Sequence, residues 1–214
     1  AYSLLTTSRR KQIHTEIGQV FLESDRSLSN IFEVVNQLNN SFESPDIVGF
    51  NRNELAELNV TAGRRAKKSA AFQAAFKYFK TAIALFGQNI WAQYELSLDL
   101  HLEAAETAYL CGDHGQLELL ISVAMEHTRS PIDTARIVEI KMKGLIAAGE
   151  IETAIDEGHR VLDLLSLKVP RTVKFSSGIL LVKLAFLTKK MERQSDNDMP
   201  RMQDEKLLAA MRIL

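Results

Sequence analysis

Cysteine is all but missing from this chain of 214 residues, with Cys111 the single example. One thiol excludes an internal disulfide framework and fits a reducing compartment. Proline is scarce as well. Pro45, Pro131, Pro170 and Pro200 are the four present, and no Asn-Gly or Asp-Gly pair supplies a hairpin turn. Net charge is close to nil, since 26 Lys and Arg face 27 Asp and Glu. That balance argues against a dedicated binder of nucleic acid or of an anionic membrane. Long apolar runs are absent too. The longest, residues 178–187, contains Lys183 and is far short of the roughly 20 residues a spanning helix needs. The chain opens on Ala1 with no basic-then-apolar leader and cleavage site behind it. The expectation is a soluble, cytoplasmic protein without nucleic-acid or membrane partners.

What is present is helical spacing. Apolar residues recur three and four apart rather than alternating: Ile13, Ile17, Val20 and Phe21; Ile31, Val34, Val35 and Leu38; Phe72, Ala75, Phe76, Phe79, Ile83 and Phe86. The pattern continues through residues 96–110, 117–125, 137–148, 151–165 and 179–187. Ser130-Pro131-Ile132-Asp133 supplies an N-cap serine, proline at the first helical position and an acid in the first turn. Gly149 stands where a left-handed helix stop belongs. The fold class predicted is all-α. Residues 42–53 and 194–198 read as loop and polar linker. The opening Ala1–Leu5 reads as an uncapped helix tail, and the closing 204–214 as a helix still in phase at its last residue. Both ends suggest a fragment.

The middle of the chain repeats. Ala62-Gly63 lie in one helix, and Ala75, Phe79 and Ala82 line the next at spacings of four and three. Ala104-Ala105, a turn at residues 111–115, then Leu117, Ile121 and Ala124 follow the same scheme. So do Leu145, a turn at residues 148–150, then Ala154, Gly158 and Val161. Small residues at these points let antiparallel helices approach closely, where glycine otherwise costs about 1 kcal/mol. The anchors Ala75, Leu117 and Ala154 are 42 and 37 residues apart, against roughly 34 for the tetratricopeptide repeat. The units resemble degenerate tetratricopeptide repeats with lengthened connections, stacked as an α-solenoid; an irregular helical bundle is the alternative. The division expected is a helical linker over 1–50, three helix pairs over 51–169, and a capping helix with the start of a truncated pair over 170–214.

A wider arrangement accompanies the repeats. Ala1–Leu5, His14–Gly18, Ile31–Asn39, Leu55–Phe72, Leu100–Glu106 and Leu207–Arg212 come in an order that resembles the region after the AAA-type ATPase module of large bacterial signalling proteins. In that family a serine/threonine kinase domain and the ATPase precede this region, and a GAF sensor and histidine kinase often follow. The resemblance implies a helical-repeat connector of a multidomain kinase, with neighbouring kinase, ATPase or sensor domains as partners. Its kinase and nucleotide motifs fall outside these 214 residues, so no catalytic residue carries over.

Chemistry inside the chain is thin. Gly63–Ser69 ends in Lys-Ser, but a phosphate loop needs glycine directly before the lysine, where Lys67 stands, and a preceding strand. Cys111 and His114 have a Cys-x-x-His spacing, with His101 and Glu118 as conceivable neighbours, yet structural zinc needs four ligands richer in thiolate and imidazole. His14 and His101 each precede a glutamate by two residues but lie in the repeat arm, beside no ATP-binding module. Glu103 and Glu106 read as solvated charge. Enzyme activity, cofactors and metals are therefore not expected here.

Charge is segmented. Residues 64–80 carry six bases and no acid; residues 95–163 carry 14 acids against five bases; residues 164–193 carry seven bases against one acid. Complementary patches of this kind suit docking between domains. Aligning the pairs places Arg64, Glu106 and Lys143 at equivalent positions, with Glu106 between two cations on a common groove. The candidate interaction groove is Arg64, Lys67, Lys68, Glu106, Tyr109, Glu139 and Lys143. The function expected is a non-catalytic scaffold within a signalling protein. A free-standing peptide-binding adaptor and a ligand-responsive helical sensor are the alternatives.

Overall fold

The structure, a computed structural model, describes residues 6–24, 30–41, 51–167 and 204–213. Among these the chain forms nine α-helices and no strand. They are α1 (Thr7–Ser24), α2 (Ile31–Ser41), α3 (Arg52–Lys68), α4 (Phe72–Phe86), α5 (Tyr94–Leu110), α6 (His114–Glu126), α7 (Pro131–Ala147), α8 (Ile151–Leu164) and α9 (Glu205–Ile213), with a 3₁₀ segment at Gly87–Ala92. The chain divides into two compact units, Ala1–His127 and Thr128–Leu214. The predicted helix over 179–187, the opening Ala1–Leu5 and the linker at 194–198 lie outside the described residues.

Local geometry recurs along the chain. Helices α3, α5 and α7 each have 17 residues, and their first residues are 42 and 37 apart. Each closes on the same backbone turn. A residue of positive φ follows the helix, at Ala70 (56°), Gly112 (74°) and Gly149 (83°). The next N–H then reaches back to a carbonyl five residues earlier: Ala71 to Ala66 at 2.9 Å, Asp113 to Ala108 at 2.9 Å, Glu150 to Leu145 at 2.8 Å. This Schellman closure satisfies carbonyls that a helix end leaves without partners. Helix α8 ends in the same way, with Ser166 at φ 64° and Leu167 donating to Leu162 at 2.9 Å. Ala70 and Ser166 adopt this left-handed backbone without being glycine. Five residues after the first three turns stand Ala75, Leu117 and Ala154, each buried at the start of the following helix.

N-caps complete the punctuation. Asn51 accepts from the Asn53 N–H at 2.9 Å, Asp113 from Gln116 at 3.1 Å and Ser130 from Asp133 at 3.1 Å. Helix α3 thus begins at Arg52, inside the stretch expected to be loop through residue 53. Of the five extra residues of the first interval, two lengthen α4 relative to α6 and three lengthen the connection that holds the 3₁₀ segment Gly87–Ala92, while α4 and α5 remain packed on one another.

In the first unit the core runs through α2, α3, α4 and α5. Phe79 is fully buried with Ile31, Val35, Val60, Leu100 and Ala104. Gly63 makes the close approach of α3 to α4: a Cβ there would stand 2.6–2.9 Å from three Phe79 ring carbons. Buried polar groups are matched. The Asn59 side chain, wholly buried, exchanges amide hydrogen bonds of 2.9 Å with Asn39 of α2 and donates to the Leu55 carbonyl at 2.8 Å. Tyr78 donates to Asn36 at 3.0 Å. Helix α1 leans on α2 through Gly18, whose missing side chain leaves room for Leu38. Its expected stripe is less buried than its spacing implies, since Ile17 and Val20 are exposed.

The second unit packs Ala135 and Val138 of α7 and Val161 and Leu162 of α8 around Ala209, Ala210 and Ile213 of α9. Gly158 of α8 faces Met142 and Ile213.

Candidate interaction face

The last turns of α3 carry Arg64 and Lys67, three apart and so on one side of the helix. Helix α5 offers Glu103 and Glu106 at the same spacing. The two sets meet. Arg64 Nε donates to both carboxylate oxygens of Glu103, at 3.0 and 3.1 Å, and Lys67 Nζ donates to Glu106 Oε2. Two rungs that rise together along both helices show that α3 and α5 run parallel. Glu103 and Glu106, read as solvated charge, are ion-paired instead, because α5 brings them opposite the basic end of α3.

The register also differs from the expected one. Arg64 and Glu106 occupy equivalent positions 42 residues apart, yet each base bonds the acid 39 residues on. Side chains on a helix lean toward its N-terminus. Long bases reach further back than shorter acids and meet the carboxylate one turn earlier. Lys143 is in the second unit and bonds Glu139 of its own helix at 2.9 Å, and the cation that Glu106 pairs with is Lys67. Tyr109 is half-buried one turn after Glu106, and Lys68 is exposed at the end of α3.

The pairs are partly exposed: 47% and 24% for Arg64 and Glu103, 28% and 30% for Lys67 and Glu106. Such pairs contribute about 0–1 kcal/mol each, so they set register more than stability. Exchanging the charges tests this. Lys67→Glu should lower stability by about 1 kcal/mol through like-charge contact, and adding Glu106→Lys should recover most of it in denaturant unfolding.

The remaining sequence candidates have structural places. Gly63 to Lys68 lie inside α3, so their N–H groups belong to a helix rather than a phosphate-wrapping loop. Cys111 is half-buried at the end of α5, where burial and then the Asp113 carboxylate push its thiol pKa up. His114 is exposed. Among the described residues no three His, Cys, Asp or Glu side chains are grouped to hold a metal ion. His14 is hydrogen-bonded to Gln37 of α2.

One cluster was not legible in the sequence. Trp91, on the 3₁₀ segment, is stacked by two imidazoles: His127 lies parallel at 4.1 Å between ring centroids and His101 at 4.8 Å. Both histidines donate from Nδ1 to carbonyls one turn earlier, His101 to Ser97 at 2.7 Å and His127 to Val123 at 2.9 Å. Carbonyl oxygens accept only, which fixes the proton on Nδ1. His101 is 3% exposed. Burial pushes its pKa below the ordinary 6.5, the Ser97 carbonyl opposes this, and the neighbouring His127 adds to it. Three aromatic positions spread over 37 residues share no helical period, so spacing gives no warning of the stack.

Among the described residues no helix is long and apolar enough to cross a membrane. No family model matches the chain, and no solved structure matches it significantly. The chain is 25% identical over 167 residues to hybrid signal transduction histidine kinase G of Dictyostelium discoideum. That match covers 65% of this chain and 5% of the relative, so the chain spans about one-twentieth of that protein's length. The similarity is distant. Its source lends no support to the bacterial origin expected from sequence.

Proposed function

We propose that this chain is a non-catalytic helical-repeat scaffold within a cytoplasmic signal-transduction kinase, a tetratricopeptide-like array that docks neighbouring kinase, ATPase or sensor domains. The observation that carries the reading is the recurrence of one hairpin: a 17-residue helix, a Schellman turn and a buried residue five positions later, at intervals of 42 and 37 residues. Arrays of such units offer extended surfaces because each unit is stabilised chiefly by its neighbours. The paired α3–α5 face suits a structural seam better than a cradle for an acidic peptide, for which a run of unpaired cations would be needed. Distant similarity to a histidine kinase supplies the signalling context.

Crosslinking the full-length parent protein with a lysine-reactive reagent tests this. Lys68, Lys77 and Lys80, all exposed, should give crosslinks to residues outside the 214 described in sequence. Crosslinks confined within the chain would overturn docking. ATP turnover by the isolated chain, lost on changing Lys68, would overturn the non-catalytic part.

A further inference from the structure

The second unit contains a cavity of about 370 Å³ bordered by α7, α8 and α9. That volume lies within the ~300–1,000 Å³ range of small-molecule sites. Its depth comes from small residues, Ala154 and Gly158, which keep α8 low at the floor, with Leu162 beside them. Ile146, Ile151 and Ile155 form the wall and are 54%, 56% and 52% exposed. Three isoleucines turned half to water around one concavity are apolar surface in search of cover.

The polar groups of the rim decide what that cover is. Glu139, the one acid, is already bonded to Lys143 at 2.9 Å. Arg212, at the C-terminal turn of α9, makes no ion pair among the described residues, and His159 lines the same cavity. Among the described residues, then, Arg212 is a rim cation with no ion-pair partner, set beside the apolar lining of Ala154, Gly158 and Leu162. Guanidinium is a planar, permanently charged donor matched to carboxylate.

We propose that this cavity binds a small amphipathic carboxylate, its aliphatic chain against Ile146, Ile151 and Ile155 and its head group on Arg212, with His159 alongside. A cationic ligand would face Arg212 and find Glu139 occupied. A sugar or nucleotide would leave most of its polar groups against isoleucine. The inference does not rest on the scaffold reading, since it draws only on the residues that line this cavity.

The test uses the full 214-residue chain, isoleucine-methyl NMR and sodium decanoate as the probe. Decanoate should shift the methyls of Ile146, Ile151 and Ile155 saturably. Arg212→Gln, an exposed position, should weaken decanoate about tenfold, the cost of one charge-assisted hydrogen bond, while leaving 1-decanol unchanged. Ile155→Ala, also exposed, should weaken both. Circular dichroism checks that each variant is folded. Equal affinity for decyltrimethylammonium, shifts at other methyls, or a decanoate-insensitive dimer whose interface holds the three isoleucines would overturn the proposal. The last result would make a second copy the occupant.

Discussion

Phe79→Ala should lower the stability of the first unit by about 3–5 kcal/mol, the range for truncating a fully buried aromatic. Phe79 is 0% exposed and joins α2, α3, α4 and α5 in one cluster, so few neighbours are free to collapse into the void. Gly63→Ala probes the same contact from the other side. Alanine is the better helix former by about 1 kcal/mol, but its Cβ would press 2.6–2.9 Å from the ring. Overpacking of a rigid buried ring costs about 1–3 kcal/mol, and three close carbons put this site at the upper end. The net expectation is a loss of roughly 2 kcal/mol. In the Phe79→Ala background the sign should reverse, because the Cβ then enters a cavity and the helix preference is left uncovered. Urea unfolding of the four proteins measures the cycle. Additive losses would show that Gly63 is not the point of closest approach.

The second large effect is acid sensitivity of the Trp91 stack. His101 is buried and its pKa is held below 6.5. As pH falls below that value the unfolded chain takes up a proton at His101 that the folded chain refuses. Folded and unfolded states then differ in bound protons, and stability declines as pH falls toward the folded pKa; above about 6.5 it is fully present. Chemical unfolding monitored at Trp91 should give a lower midpoint at pH 5 than at pH 7.5. His101→Phe keeps an aromatic ring against the indole and removes the titration, so its midpoint should lose most of that slope. A slope unchanged in His101→Phe would assign the acid response elsewhere.

Much of the fold was written in local signals. Ser130-Pro131 and Gly149 mark helix ends through backbone chemistry that acts within a few residues, and the structure uses both as their types dictate. Where helices pair was legible because small residues must stand where helices touch, as Gly63 does against Phe79. Two ends escaped the same reasoning. Ala70 and Ser166 stop helices in a conformation that their side chains do not favour, so composition gives no sign of either. Partnerships across the sequence were less legible. Equivalent positions predicted Arg64 opposite Glu106, whereas reach along the helix pairs Arg64 with Glu103. A repeat alignment fixes which face a charge occupies, and side-chain length then chooses the partner. The Trp91 stack was invisible for a further reason: its members come from a connecting segment, the middle of α5 and the C-cap of α6, outside any single period.

That connecting segment has a consequence for how the molecule is observed. Trp91 is the one tryptophan of the chain and belongs to the unit Ala1–His127. Its emission therefore follows the unfolding of that unit by itself, whereas far-ultraviolet circular dichroism sums helices from both. Superimposable transitions from the two signals would mean that the units melt as one cooperative system. A fluorescence transition displaced from the dichroic one would resolve two, and the gap between their midpoints would measure how independently each half of the chain stands.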